Sequence, residues 1–214
     1  GSRRNWRAEA SKALGERQYP AAIRKFRSAL SGSGRYEKMR ASIWASIGEC
    51  YNQQGRLMEA SAAFERAART CPSWESAGDC AARAFILMDK AAGEIKGLSE
   101  DATGSQRKSL LLLLAGFPNH KAAPIALHRL GLLCYKEKDY EGAERYLAAV
   151  PAGYASALEV LDFLAYARVD MVRRKDRAEG APPEMVKKAL ASNQAFLDKA
   201  KGSAEPWVRR SAAE

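Results

Sequence analysis

The side chains best suited to chemistry in this chain are two histidines, His120 and His128, and four cysteines, Cys50, Cys71, Cys80 and Cys134. Imidazoles and thiolates hold zinc when four converge tetrahedrally, and such sites usually contain ligand pairs a few residues apart. Here there is no CxxC pair, and the histidines stand eight apart without a third ligand at a suitable spacing. Neither a metal site nor a cofactor is expected. The histidines read as solvated, with His128 able to line a groove. The cysteines read as small buried hydrophobes. Cys71 and Cys80 flank a helix-to-helix turn and are the pair to test for a bridge in an oxidising compartment.

Other reaction types fare no better. Nucleophilic hydrolysis needs a serine exposed on a strained turn beside a histidine and a carboxylate, and no such set is present. The glycines of "SGSG" at 31–34 are not followed by Lys-Ser/Thr, so they form no phosphate loop and read as a flexible helix connection. The carboxylates of "KEKDYEGAE" fall on a turn and on the outer side of a helix. No enzyme is expected.

Charge narrows the partner. The net charge is +10, of which residues 1–40 carry +8, residues 41–154 none and residues 155–214 +2. A nucleic-acid-binding array should carry positive potential along its whole binding face. The cluster Arg3, Arg4, Arg7, Lys12, Arg17, Arg24, Lys25 and Arg27 sits at one end. It reads as a solvated face around the stripe Ala22, Phe26 and Ala29, with docking of an acidic partner as the alternative. Nucleic acid is disfavoured. The longest apolar run, residues 110–115, is too short to cross a bilayer, so no membrane insertion is expected.

What must position any functional residue is a set of helices. In "WASIGECYNQQGRLMEASAAFERAARTCP", Trp44, Ile47, Gly48 and Tyr51 share one side of a first helix that ends near Gly55. Ala60, Phe64 and Ala67 share one side of a second helix, stopped by Pro72. Gly48 and Ala60 lack bulk and permit close helix approach, while Trp44, Tyr51 and Phe64 fill the space beside the crossing. Gly55 supplies the left-handed conformation that turns the chain. Such a hairpin keeps an apolar edge that only another hairpin covers.

Residues 41–74 resemble the tetratricopeptide repeat: Trp44, Ile47-Gly48, Tyr51, Ala60, Phe64, Ala67 and Pro72 fall in its 34-residue register, with Ile47 where Leu is usual. Trp6, Ala10, Ala22, Phe26 and Ala29 repeat the pattern earlier, before the longer junction "SGSGRYEK". "ALHRLGLLCYKEKDYEGAERYL" repeats it later through Leu127, Leu130, Gly131, Tyr140 and Ala143, with Leu147 replacing the aromatic. Between them "AGDCAARAFILMDK" and "SQRKSLLLLLAGFP" form a degenerate unit, interrupted by the insertion "GEIKGLSEDATG". The resemblance implies an all-α, right-handed superhelical array of antiparallel helix hairpins. Its units are expected at 3–40, 41–74, 75–122 and 123–154, with irregular helices over 155–214 closing the array near Trp207. The stretch from Phe117 to Leu147 is also similar to units of bacterial envelope and assembly proteins, which implies a bacterial source, with cytoplasm favoured over periplasm. Gly1-Ser2 reads as a cloning remnant, so a piece of a longer protein is expected.

In such an array the first helices line a concave surface. The groove candidates are Arg4, Arg7 and Ser11 on the first unit, Glu49, Asn52 and Gln53 on the second, and His128, Arg129, Tyr135 and Lys136 on the fourth. Some family members clamp a terminal carboxylate with groove Lys and Asn. Arg7 could replace a clamp cation, but Ser11 and Ser46 stand where Asn would be needed, so that activity is not carried over. The expected function is a non-catalytic scaffold gripping a protein or peptide partner, with homo-oligomerisation through uncapped apolar edges as the alternative.

Overall fold

The computed structural model describes residues 6–94, 100–201 and 208, and the described residues form ten helices and no strand. Residues 1–123 and 124–214 are two compact bodies. The first contains α1 (Trp6–Gly15), α2 (Tyr19–Gly32), α3 (Glu37–Gln53), α4 (Leu57–Thr70), α5 (Ala77–Glu94) and α6 (Glu100–Gly116). Each packs on the next, so the body is a succession of antiparallel hairpins. The second contains α7 (Ala123–Lys136), α8 (Tyr140–Ala148), α9 (Ala157–Glu179) and α10 (Pro183–Ala200), with α9 packed between α8 and α10. The all-α hairpin architecture expected from the sequence is thus the observed one.

One turn recurs three times. Gly55 closes the α3–α4 turn at φ +72°, and the equivalent positions after α1 and α7 are Arg17 at φ +59° and Lys138 at φ +63°. In each case the next amide bonds back five residues: Gln18 to Ala13, Arg56 to Tyr51 and Asp139 to Cys134, at 2.8, 3.0 and 2.9 Å. This is the left-handed helix stop that satisfies orphan carbonyls. Pro20 starts α2 in its first turn and Pro183 starts α10, where the missing N–H costs nothing.

The hairpins hold together by close approach. A Cβ on Gly48 would stand 3.0 Å from the Phe64 ring, and one on Gly131 would stand 2.5 Å from Leu147 Cγ. Phe64 and Leu147 are fully buried, as are Ala60, Ala67 and Ala143. Between hairpins, the buried Ser61 hydroxyl donates to the Ala84 carbonyl at 2.7 Å, binding α4 to α5. The Arg27 guanidinium donates to the Tyr51 hydroxyl at 2.9 Å, binding α2 to α3. In the second body Cys134, Ala143, Leu147, Val160, Leu164 and Ala167 form one core. Glu144 on α8, Arg168 on α9 and Lys188 and Ser192 on α10 form a polar network beside it.

Several expectations change. "SGSG" is no flexible connection: Ser31 and Gly32 finish α2, and Ser33 is fully buried with its hydroxyl on the Leu30 carbonyl at 2.7 Å. The insertion at 93–104 is partly helical, since α5 runs to Glu94 and α6 starts at Glu100. Gln106 donates to Asp89 at 2.7 Å and ties the two helices together. Trp44 is half-buried instead of filling the crossing, and the Arg66 guanidinium lies 4.8 Å over its ring. The expected closing segment at Trp207 lies outside the described residues, although Val208 is buried against Phe196 and Ala200.

Two stability effects follow. Phe64→Ala should cost roughly 3–5 kcal/mol in chemical denaturation, because its ring fills the crossing completely. Arg17→Gly and Lys138→Gly should each raise stability by about 0.5–1 kcal/mol, since both residues adopt a backbone region that favours glycine. Unchanged or lowered denaturation midpoints for both glycine variants would contradict the turn assignment.

Candidate functional site

The groove candidates separate into three groups. Arg4 lies outside the described residues, and so does the side chain of Arg7. Ser11, Gln53, Arg129 and Lys136 are exposed on α1, α3 and α7, and Asn52 is half-exposed. The other three are engaged inside the protein.

Glu49 is the first of these. Gln53 donates to it at 2.7 Å, and Arg83 on α5 pairs with its other oxygen. Burial pushes the Glu49 carboxyl up, but the hydrogen bonds from Gln53 and Arg83 outweigh it and hold the group below its ordinary value. Arg83 also lies 4.1 Å over the Phe64 ring, so it closes the crossing from above. Glu49 is therefore an ionised strut between two first helices at neutral pH.

Tyr135 plays the same part in the second body. Its hydroxyl donates to Asp170 on α9 at 2.9 Å, and its ring packs on Tyr140 and Phe163 at 5.6 and 5.5 Å. Burial and then the Asp170 bond push the phenol well above its ordinary value, so it remains a protonated donor.

His128 corrects the expectation of solvated histidines. It is 3% exposed, edge-on to Tyr154 at 5.6 Å, and its Nε2 lies 3.7 Å from a Glu159 oxygen. The sequence reading missed that α9 and the loop before it cover this face of α7. Burial lowers the His128 pKa; Glu159 opposes the shift and Arg129 adds to it. His120 is also partly buried. Its Nδ1 accepts from the Ala122 amide at 3.2 Å, so Nε2 carries the proton toward Asp79 at 3.1 Å. Its ring also abuts Gly78, where a Cβ would stand 3.0 Å from Cδ2.

The remaining chemistry candidates are structural. All four cysteines are buried thiols, including Cys71 and Cys80, and burial pushes Cys50 and Cys80 up to about 11. Among the described residues no group of three His, Cys, Asp or Glu side chains could hold a metal. No described helix is long and apolar enough to cross a membrane. Part of the amino-terminal basic cluster is paired internally: Lys12 with Glu16 at 3.8 Å, Lys25 with Glu9 at 3.4 Å, and Arg27 with Tyr51.

Arg83 and Asp170 were not singled out from the sequence, yet each links one first helix to another. The signal was available, because Glu49 and Arg83 stand 34 residues apart and Tyr135 and Asp170 stand 35 apart, about one repeat.

No protein-family model and no curated protein matches the chain. Solved structures align with it at low identity. A MamA protein gives a TM-score of 0.49 at 13% identity, over 94% of each chain. BtubC (BKLC) from P. vanneervenii gives 0.42 at 13%, over 92% of this chain and 80% of that one. A putative kinesin light chain from Podosopora anserina with nearly identical TPR-like repeats gives 0.42 at 14%, over 94% and 97%. The architecture described above rests on the helix packing itself.

His128 generates a pH prediction. Its folded pKa is depressed, so the neutral form is favoured in the fold and its contribution is complete above the unfolded value of about 6.5. Stability should therefore decline as pH falls below about 6.5. His128→Gln should flatten that decline in urea titrations at stepped pH. An unchanged slope in the variant would contradict the assignment.

Proposed function

We propose that the chain is a non-catalytic interaction scaffold, each of whose two bodies presents the exposed side of its own first helices to a peptide or protein segment. What supports this most directly is the tying of first helix to first helix: α3 to α5 through Glu49 and Arg83, and α7 to α9 through Tyr135 and Asp170. The Glu49 carboxyl is held below its ordinary value and the Tyr135 phenol above its own, so at neutral pH the pairs suit a structural link better than proton transfer. On those helices Gln53, Arg129 and Lys136 are exposed and Asn52 is half-exposed. Ser11, exposed on α1, and Arg7, a candidate from the sequence, extend the set. A mixture of amide and cationic donors on preformed helices can grip an extended or helical segment at small ordering cost. The similarity of residues 117–147 to bacterial assembly-protein repeats supports a place within a larger bacterial assembly.

The test compares proteins captured by the immobilised chain with those captured by an Arg7→Ala, Gln53→Ala, Arg129→Ala variant. Loss of specific captured proteins is expected, with the helical circular dichroism of the fold retained. Retention of every captured protein by the triple variant would contradict the first-helix surface.

A further inference from the structure

The second body contains a cationic cleft that the regional charge tally conceals. Helix α9 has 23 residues against 14 in α7, so it is about 13 Å longer. Its carboxyl-terminal part carries Arg173, Arg174 and Arg177 beside the α7–α8 turn, which contributes Lys138 and Tyr140. Together with Glu137 and Asp170 they line a cleft of about 600 Å³.

The cations in it are largely unneutralised. Asp170 already receives the Tyr135 hydroxyl, and it reaches Arg173 only at 3.5 Å. Lys175 pairs instead with Glu179 along the helix. Arg174, Arg177 and Lys138 are exposed, and among the described residues no ion pair engages them. A solvated helix face would scatter such groups around the axis. Here cations from two separate elements converge on one concavity, and one of them, Lys138, occupies a backbone conformation that glycine would adopt with less strain.

We infer that this cleft docks a carboxylate-rich peptide segment of a partner protein; this rests on the reading of the chain as an interaction scaffold and names a second surface, at the helix ends. Guanidinium forks match carboxylates in bidentate geometry, and the Tyr140 ring offers an apolar wall for an intervening side chain. A nucleic acid fits less well. Its regularly spaced phosphates call for an extended cationic stripe, whereas here Glu137, Asp170, Asp176 and Glu179 interrupt the positive surface.

The test is fluorescence anisotropy with a labelled, carboxyl-amidated decapeptide of Glu, Asp and Leu, titrated with the full chain at low and at physiological salt. Binding that weakens with salt is expected. Arg174→Glu/Arg177→Glu should weaken it about tenfold. Arg24→Glu/Arg35→Glu, which changes net charge equally on the first body, should stay within about twofold. Lys138→Gly should weaken binding about threefold while raising the thermal midpoint. Absence of binding to the native chain, or equal losses in the two charge-reversed variants, would overturn the site. Equal affinity for a single-stranded oligonucleotide with the same dependence on Arg174 and Arg177 would overturn the partner class. The Arg7, Gln53, Arg129 variant should bind the peptide normally, so failure of the first-helix surface and failure of this cleft give different results.

Discussion

The contact on which the structure depends is the approach of a glycine on a first helix to a bulky side chain on the second. Gly48 meets Phe64, and Gly131 meets Leu147, at separations where no Cβ fits without displacement. Both bulky groups are fully buried, so each hairpin owes much of its apolar stabilisation to a crossing that one added methyl would open. Around this point the chain needs small residues on facing surfaces and a tight reversal a few residues on. The repeated left-handed stop at Arg17, Gly55 and Lys138 supplies that reversal.

Once hairpins of equal pitch stack, polar links fall at fixed sequence intervals. First helix joins first helix at separations of 34 and 35 residues, in Glu49–Arg83 and Tyr135–Asp170. Second helix joins the next first helix at 24, in Arg27–Tyr51 and Glu144–Arg168. These separations are the geometry of the repeat expressed in side chains. Glu144 is the most connected example: burial raises its carboxyl pKa, but bonds from Lys188 and Arg168 more than reverse the effect. Neutralising only one partner of such a group would leave a poorly solvated charge, so the network constrains how α8, α9 and α10 pack together.

Much of this fold is legible in the sequence because its cause is local. Gly48, Ala60, Phe64 and Ala67 declare their roles through size and helical spacing, and Gly55 and Pro72 mark the ends. The candidate site is less legible because its residues answer to neighbours a full repeat away. Glu49 and Tyr135 look like available polar groups until Arg83 and Asp170 are placed against them. His128 looks solvated between Leu127 and Arg129, yet the later α9 covers it. Ser33 sits within a run of Gly and Ser that suggests looseness, but its hydroxyl finds the Leu30 carbonyl and the turn closes over it. The cationic cleft vanishes in a regional sum because the tally of residues 155–214 counts every acid equally and leaves out Lys138, which the α7–α8 turn brings beside Arg173, Arg174 and Arg177.

The most direct measurement is a double-mutant cycle between Gly131→Ala and Leu147→Ala by urea denaturation. Alone, Gly131→Ala should cost about 1–3 kcal/mol, because the new Cβ meets Leu147. With Leu147 already truncated, the same methyl enters vacated space and should cost little or even stabilise, giving strong coupling. Additive losses in the double variant would mean that the two residues do not share the crossing, and the packing account of the hairpins would be wrong.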